Sequence, residues 1–169
     1  WISKLGADGA RGHAIEYAGS TVRALSMESR MTLCNLSIEG GGRFGMIAPD
    51  QTTFDYVKDR PFAPTGEDWR HALESWDKLH SDQDATFDRE VEIDAADIAP
   101  LVTWGVSPEE ALPITSSVPD IETLEGAEAQ KLGETLDYMG LRPGQSLSEI
   151  IVDQVFIGSC TNARIQDLR

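Results

Sequence analysis

The sequence predicts an α/β fold, and three observations predict it. Apolar residues recur at helical spacing in some segments and at alternate positions in others. The two kinds of segment alternate along the chain. The hydrophobic fraction, 40% of 169 residues, is that of an ordinary globular protein. The length allows one domain or parts of two.

Taken in order, residues 6–12 form a glycine-rich loop. Ile15, Ala18, Val22 and Leu25 then recur at helical spacing, so a helix is expected there. A second helix is expected from Ser26 or Met27 to Glu39. Met31, Cys34, Asn35, Ile38 and Glu39 share much of one of its faces. Gly40-Gly41-Gly42 should end it, because glycine readily supplies a left-handed C-cap. Residues 43–48 read as a short strand closed by Pro49-Asp50, 52–58 as a short helix, and 60–66 as a loop. Thr65 and Asp68 resemble a capping box. They open an amphipathic helix over 67–80 that carries Trp69, Leu73, Trp76 and Leu79.

The polar stretch 81–85 reads as a linker, so the expected domains are 1–84 and 85–169. Phe87, Val91 and Ile93 alternate with polar residues in strand fashion. Residues 101–104 are another strand-like run. Ser107-Pro108-Glu109-Glu110 carries an N-cap, a proline at the first helical position and an acid three residues after the cap. Residues 113–121 are irregular. A helix over 122–139 turns Leu124, Leu132 and Leu136 inward, and 140–144 is a turn. Residues 150–157 form an apolar strand, and a last helix is expected to start at Asn162.

The formal net charge of −15 repels phosphate backbones, which argues against nucleic-acid binding. No apolar run reaches the length of a membrane span. Neither an initiator methionine nor a signal-peptide pattern opens the chain. Both ends read as cut, so an internal piece of a longer protein is expected. The two cysteines, Cys34 and Cys160, make no disulfide framework, and a reducing, cytoplasmic setting is expected. Two thiols alone do not close a four-ligand metal site.

The segment Val155-Phe156-Ile157-Gly158-Ser159-Cys160-Thr161-Asn162 carries the strongest chemical signal. A strand would deliver Cys160 to its C-terminal end, where open α/β sheets place ligands. Asn162 is a good N-cap for a following helix, and the positive end of such a helix favours a thiolate. A thiolate there can bind a soft metal or attack an electrophile. A cysteine packed as a small hydrophobe at a tight turn is the plain alternative.

The second signal is Asn35 and Glu39, four residues apart, which on a helix lie one above the other. Together they could address a metal-bound oxygen. From spacing alone, an exposed polar pair on a surface helix is the reading favoured.

Ile157-Gly158-Ser159-Cys160-Thr161-Asn162 resembles the cysteine signature of the aconitase family. Cys34-Asn35-Leu36-Ser37-Ile38-Glu39 resembles that family's Cys-Asn-Met-x-x-Glu helix, with Leu36 at the Met position. Gly12-His13-Ala14-Ile15-Glu16-Tyr17, Ile47-Ala48-Pro49-Asp50-Gln51-Thr52-Thr53-Phe54, Val102-Thr103-Trp104-Gly105 and Tyr138-Met139-Gly140-Leu141 are similar to the isopropylmalate dehydratase large-subunit branch. The resemblance runs over essentially the whole chain. Arg11 and Ala163 depart from the usual residues.

The resemblance implies a three-layer α/β/α iron–sulfur domain, present as parts of two consecutive subdomains. It implies a hydro-lyase that isomerises 2- and 3-isopropylmalate by dehydration and rehydration in leucine biosynthesis. Homoaconitase and citraconate or maleate hydratases are its nearest alternatives. It implies a 4Fe-4S cluster with Cys160 as one ligand, supported by Thr161 and Asn162, the remaining cysteines being expected beyond Arg169. It gives Glu39 and Asn35 catalytic roles. It implies a separate small subunit carrying the catalytic serine, and a small hydroxy-acid substrate.

Other residues have plainer expectations. His13 reads as a structural loop histidine, and His71 and His80 as surface residues of the helix over 67–80. Cys34 reads as a packed thiol near the site. Arg164 could grip a substrate carboxylate or simply pair with Asp167. Two readings from other classes are a thiol enzyme using Cys160 and a non-catalytic binding module that keeps the fold.

Overall fold

A computed structural model describes residues 1–159 and 161–169, and Cys160 lies outside the described residues. Helices, beginning with α1 (Ile2–Leu5), alternate with two small sheets, so the fold is mixed α/β. The chain divides into two compact units. One joins Trp1–Gly9 to Ile93–Ile157, and the other joins Ala10–Glu92 to Gly158–Arg169. The sequence reading put the division at 84–85. In this division the exposed residues 85–92 fall with the unit containing Ala10–Glu92.

The unit containing Ala10–Glu92 is built on a parallel pair. Strand β1 (Ala14–Glu16) runs beside β2 (Phe44–Met46), with Ile15 opposite Gly45. A helix was expected from Ile15 onward. Here Ile15 sits in a strand, and α2 covers only Ser20–Ala24 after Gly19, whose φ of 108° breaks the run. Helix α3 (Met27–Asn35) starts at Ser26, whose side chain accepts from Ser29 N. Helix α4 (Gln51–Val57) starts at Asp50, which accepts from Thr53 N.

Helix α5 covers Gly66–Trp76 and ends short of His80. Thr65 is its N-cap residue but makes no side-chain capping bond, so the expected capping box does not form. Trp76 stacks on Phe54 at 6.1 Å and meets Trp69 edge-on at 5.7 Å, which joins α5 to α4.

The unit containing Ile93–Ile157 has an antiparallel pair, β3 (Leu101–Thr103) and β4 (Ala111–Pro113), with Val102 opposite Leu112. Between them Ser107 and Glu110 form the expected capping box around one 3-10 turn. Helix α6 (Gly126–Met139) ends at Gly140 in the left-handed conformation, φ 67°. It begins later than expected, because Asp120 caps a separate 3-10 turn, Ile121–Thr123, and Leu124 turns extended. Trp104, Val118, Leu132, Leu136 and Leu147 form the core, with Leu124 packed against it. Glu109 accepts from Ala7 N at 3.0 Å and pairs with Lys131, tying the N-terminal segment to this unit.

Two expected strands are absent among the described residues. Neither 87–93 nor 150–157 forms a strand ladder. In the second segment Ile151 is 87% exposed and Phe156 90%. A strand apolar on both faces needs neighbours on each edge and cover on each side, and no described residues supply them.

Candidate active site around helix α3

Helix α3 carries the first group of candidate residues. Met31, Cys34 and Asn35 do share a face, as expected. The helix stops at Asn35, not at Glu39. Its last turn tightens: Ser37 N donates to Cys34 O at 3.2 Å and Ile38 N to Asn35 O at 3.3 Å. Residues 36–41 then continue as turns, closed by Gly42 N donating to Ser37 O at 2.9 Å. Ser37 causes the change. It is fully buried, its hydroxyl donates to Leu33 O, and it shares a hydrogen bond of 2.8 Å with Tyr17 Oη. The i,i+4 stacking of Asn35 and Glu39 on a regular helix is therefore corrected. Both residues are exposed, on successive turns of different kinds.

Gly45 lets β2 approach this end of α3. A Cβ there would clash with Ser37 Oγ and lie 3.0 Å from Cys34 Cα. Cys34 is a free, partly buried thiol, and burial pushes its pKa up. Such a thiol suits packing, as expected.

Arg30 anchors the middle of α3. It is 3% exposed, and every N–H of its guanidinium is used. Nε donates to Leu25 O, Nη2 to Arg23 O and Asp50 Oδ2, and Nη1 to Asp50 Oδ1 and Thr53 Oγ1. The fork on Asp50 spans 2.7 and 2.8 Å. That hydrogen bond, first among its causes, holds the Asp50 carboxyl below the usual value. One buried cation thus ties the end of α2, α3 and the cap of α4 together. The sequence reading missed it, because its partner Asp50 lies twenty residues away at the cap of another helix.

The segment after Cys160 packs along α3 within the same unit. Thr32 Oγ1 donates to Thr161 O at 3.4 Å, and Arg164 Nη1 donates to Thr161 O at 3.2 Å and to Thr32 Oγ1 at 3.3 Å. The expected helix from Asn162 is not present. Residues 164–168 form a turn, with Asp167 N donating to Arg164 O at 2.9 Å. Ser159 Oγ accepts from the backbone N–H groups of Thr161 and Asn162, so the serine caps the turn. The Asn162 amide donates instead to both oxygens of Asp167, at 2.8 and 2.9 Å. With no helix start here, the dipole expected to favour a thiolate is lost as an argument. Arg164 pairs with Asp167 at 3.6 Å, the plainer of its two expected roles, and its backbone N–H donates to Asp167 Oδ2 at 2.9 Å.

His13 is an exposed loop residue bonded through Nδ1 to Arg11 O at 2.9 Å. His71 is exposed on α5, and His80 is exposed beyond its end. Among the described residues no three His, Cys, Asp or Glu side chains gather to hold a metal. The one thiol among them is Cys34, and Cys160 lies outside them, so a cluster would draw its thiolates from Cys160 and from other residues. Nor is any helix among them long and apolar enough to cross a membrane.

A model of the aconitase family (aconitate hydratase) matches residues 1–169. The chain belongs to the aconitase family. The members of that family are hydro-lyases, which add and remove water, and the mixed α/β fold agrees with that membership.

Proposed function

We propose that the chain carries part of the reaction site of the large subunit of a 3-isopropylmalate dehydratase, acting on small hydroxy acids with a separate small subunit, in the cytoplasm. The supporting observation is the packing of Thr161 and Arg164 on Thr32 of α3, which brings the segment after Cys160 beside the helix ending in Cys34-Asn35. In this reading Cys160 is one thiolate ligand of a 4Fe-4S cluster whose other thiolates come from residues not described here. Bound, such a cluster supplies a Lewis acid that weakens a carbon–hydroxyl bond.

The chain's own residues have distinct tasks. Asn35, exposed at the end of α3, orients ligand oxygens through its amide. Glu39 handles a proton on the departing oxygen. Thr161 and Asn162 hold the loop after Cys160, the first through Thr32 and the second through Asp167.

The test uses the holoenzyme. Cys160→Ser should lose iron and activity together, measured by iron analysis and by isopropylmalate turnover. Glu39→Gln should keep its iron and lose turnover by about 10²-fold or more, the scale of a proton-transfer group. Full iron content in the first variant removes Cys160 as a ligand, and unchanged turnover in the second removes Glu39 from the mechanism.

A further inference from the structure

The turn that carries Glu39 is pinned through the side chain of Ser37. In a continued helix the Ser37 N–H would donate to Leu33 O, four residues back. Here the Ser37 hydroxyl takes that carbonyl at 3.4 Å, and the backbone N–H turns to Cys34 O at 3.2 Å. A serine bonded this way competes with the helix ladder and bends it. The contact with Leu33 O is long, and the bond of 2.8 Å between Ser37 Oγ and Tyr17 Oη is the tighter of the two.

Tyr17 is itself fixed. Its N–H donates to Met46 O at 2.9 Å, one step beyond the ladder of β1 and β2. Ser37, at 0% exposure, is thereby tied to the sheet. On the other side of Glu39, Gly40 is buried and its carbonyl accepts from Ala10 N at 2.9 Å. Glu39 stands between these two fixed points. Its own carboxylate is exposed and meets no donor among the described residues. An exposed side chain without a partner takes its place from its backbone, so whatever holds this turn holds the acid.

We propose that Ser37 and Tyr17 are positioning residues for the hydro-lyase reaction. The bond between their hydroxyls holds the 36–42 turn so that the Glu39 carboxylate stands where it handles the proton. Neither residue touches the reacting atoms. This positioning role rests on Glu39 as the proton-handling acid. A proton-transfer group works only within about 2.6–3.2 Å of its target, so a turn free to shift by roughly an ångström loses much of the effect.

The test uses the holoenzyme with Tyr17→Phe and Ser37→Ala, each of which removes one hydroxyl. Each should keep its iron, lower kcat about tenfold or more and leave KM within about twofold, since substrate binding is not the task of this pair. The two act as a unit, so the double variant should lose little more than the worse single one. The deciding background is Glu39→Gln. There either hydroxyl variant should cost less than about twofold further, because the acid it positions is already gone. A role in stability alone would lower activity by the same factor in both backgrounds. Amide exchange gives a readout apart from activity. The Gly41 and Gly42 N–H groups, which donate to Ile38 O and Ser37 O, close the turn. They should exchange faster in both variants, while those of α6 should not. Should Ser37→Ala fold poorly, Tyr17→Phe carries the test alone. Unchanged kcat in Tyr17→Phe, a full further loss in the Glu39→Gln background, or unmoved exchange at Gly41 and Gly42 overturns the proposal. Full turnover in Glu39→Gln itself removes the Glu39 reading and this role with it. Lost turnover in Glu39→Gln beside unaffected hydroxyl variants removes the positioning role alone.

Discussion

The two units of this chain are held together by different physics. In the unit containing Ile93–Ile157, five buried apolar side chains meet, and Leu136 and Val118 are 3% and 2% exposed. Burial of apolar surface dominates there. In the unit containing Ala10–Glu92 the most deeply buried side chains are polar: Arg30 with its ion pair to Asp50, and Ser37 bonded to Tyr17. Its large apolar residues, Phe54, Trp69 and Trp76, are only partly covered. The candidate site residues lie in this second kind of structure. A hydrophobic core tolerates small shifts of one element, because its attraction has no direction. A guanidinium with five directed bonds fixes α2, α3 and α4 at set distances, which suits a region that must hold polar groups in register.

Three experiments sharpen or break this contrast, from the largest effect down. Leu136→Ala should cost about 2–5 kcal/mol, because a buried leucine loses its transfer energy and leaves a cavity. Urea unfolding gives the cost, and amide exchange in α6 should quicken. Arg30→Met should cost about 2–3 kcal/mol. That is less than the 3–5 kcal/mol for breaking a fully buried pair, since the Asp50 side chain is 28% exposed. Amide exchange in α3 and α4 reports it. A cost within error of zero would show that the polar tie does not hold this unit.

The smallest effect is in pH. Arg30 depresses the Asp50 carboxyl below its ordinary 3.8. The stability this confers is therefore present above 3.8 and lost as pH falls through the lower, folded value. Asp50→Asn should lose that part of the acid sensitivity while being weaker at neutral pH. Stability curves from pH 2 to 7 that stay parallel for the two proteins would place the acid sensitivity elsewhere.

Much of the local structure was legible in the sequence, and the misses have a common cause. Ser26 and Asp50 cap helices, Ser107 with Glu110 forms its box, and Gly140 ends α6, all as local chemistry demands. Local pattern failed where a distant partner decides the outcome. Ile15 entered a strand because β2 lies beside it. The end of α3 tightened because Ser37 bonds to Tyr17, twenty residues away. Residues 87–93 and 150–157 have strand patterns, but a strand exists only through its ladder, and no described neighbour completes one.

The same division runs through the site. The sequence by itself determined the family, through motifs spread over the whole chain, together with the charge, the helix caps and the identity of the chemical groups, because these reside in residue types and short spacings. Only the tertiary structure decided that Arg30 is a spent structural cation while Arg164 bonds to Thr32 and Thr161. It also decided that Asn162 serves Asp167 and caps no helix, and that Glu39 leaves the helix on which its spacing had placed it. Which donor meets which acceptor depends on chain segments brought together from as far as Thr32 to Arg164, and no local spacing carries that information.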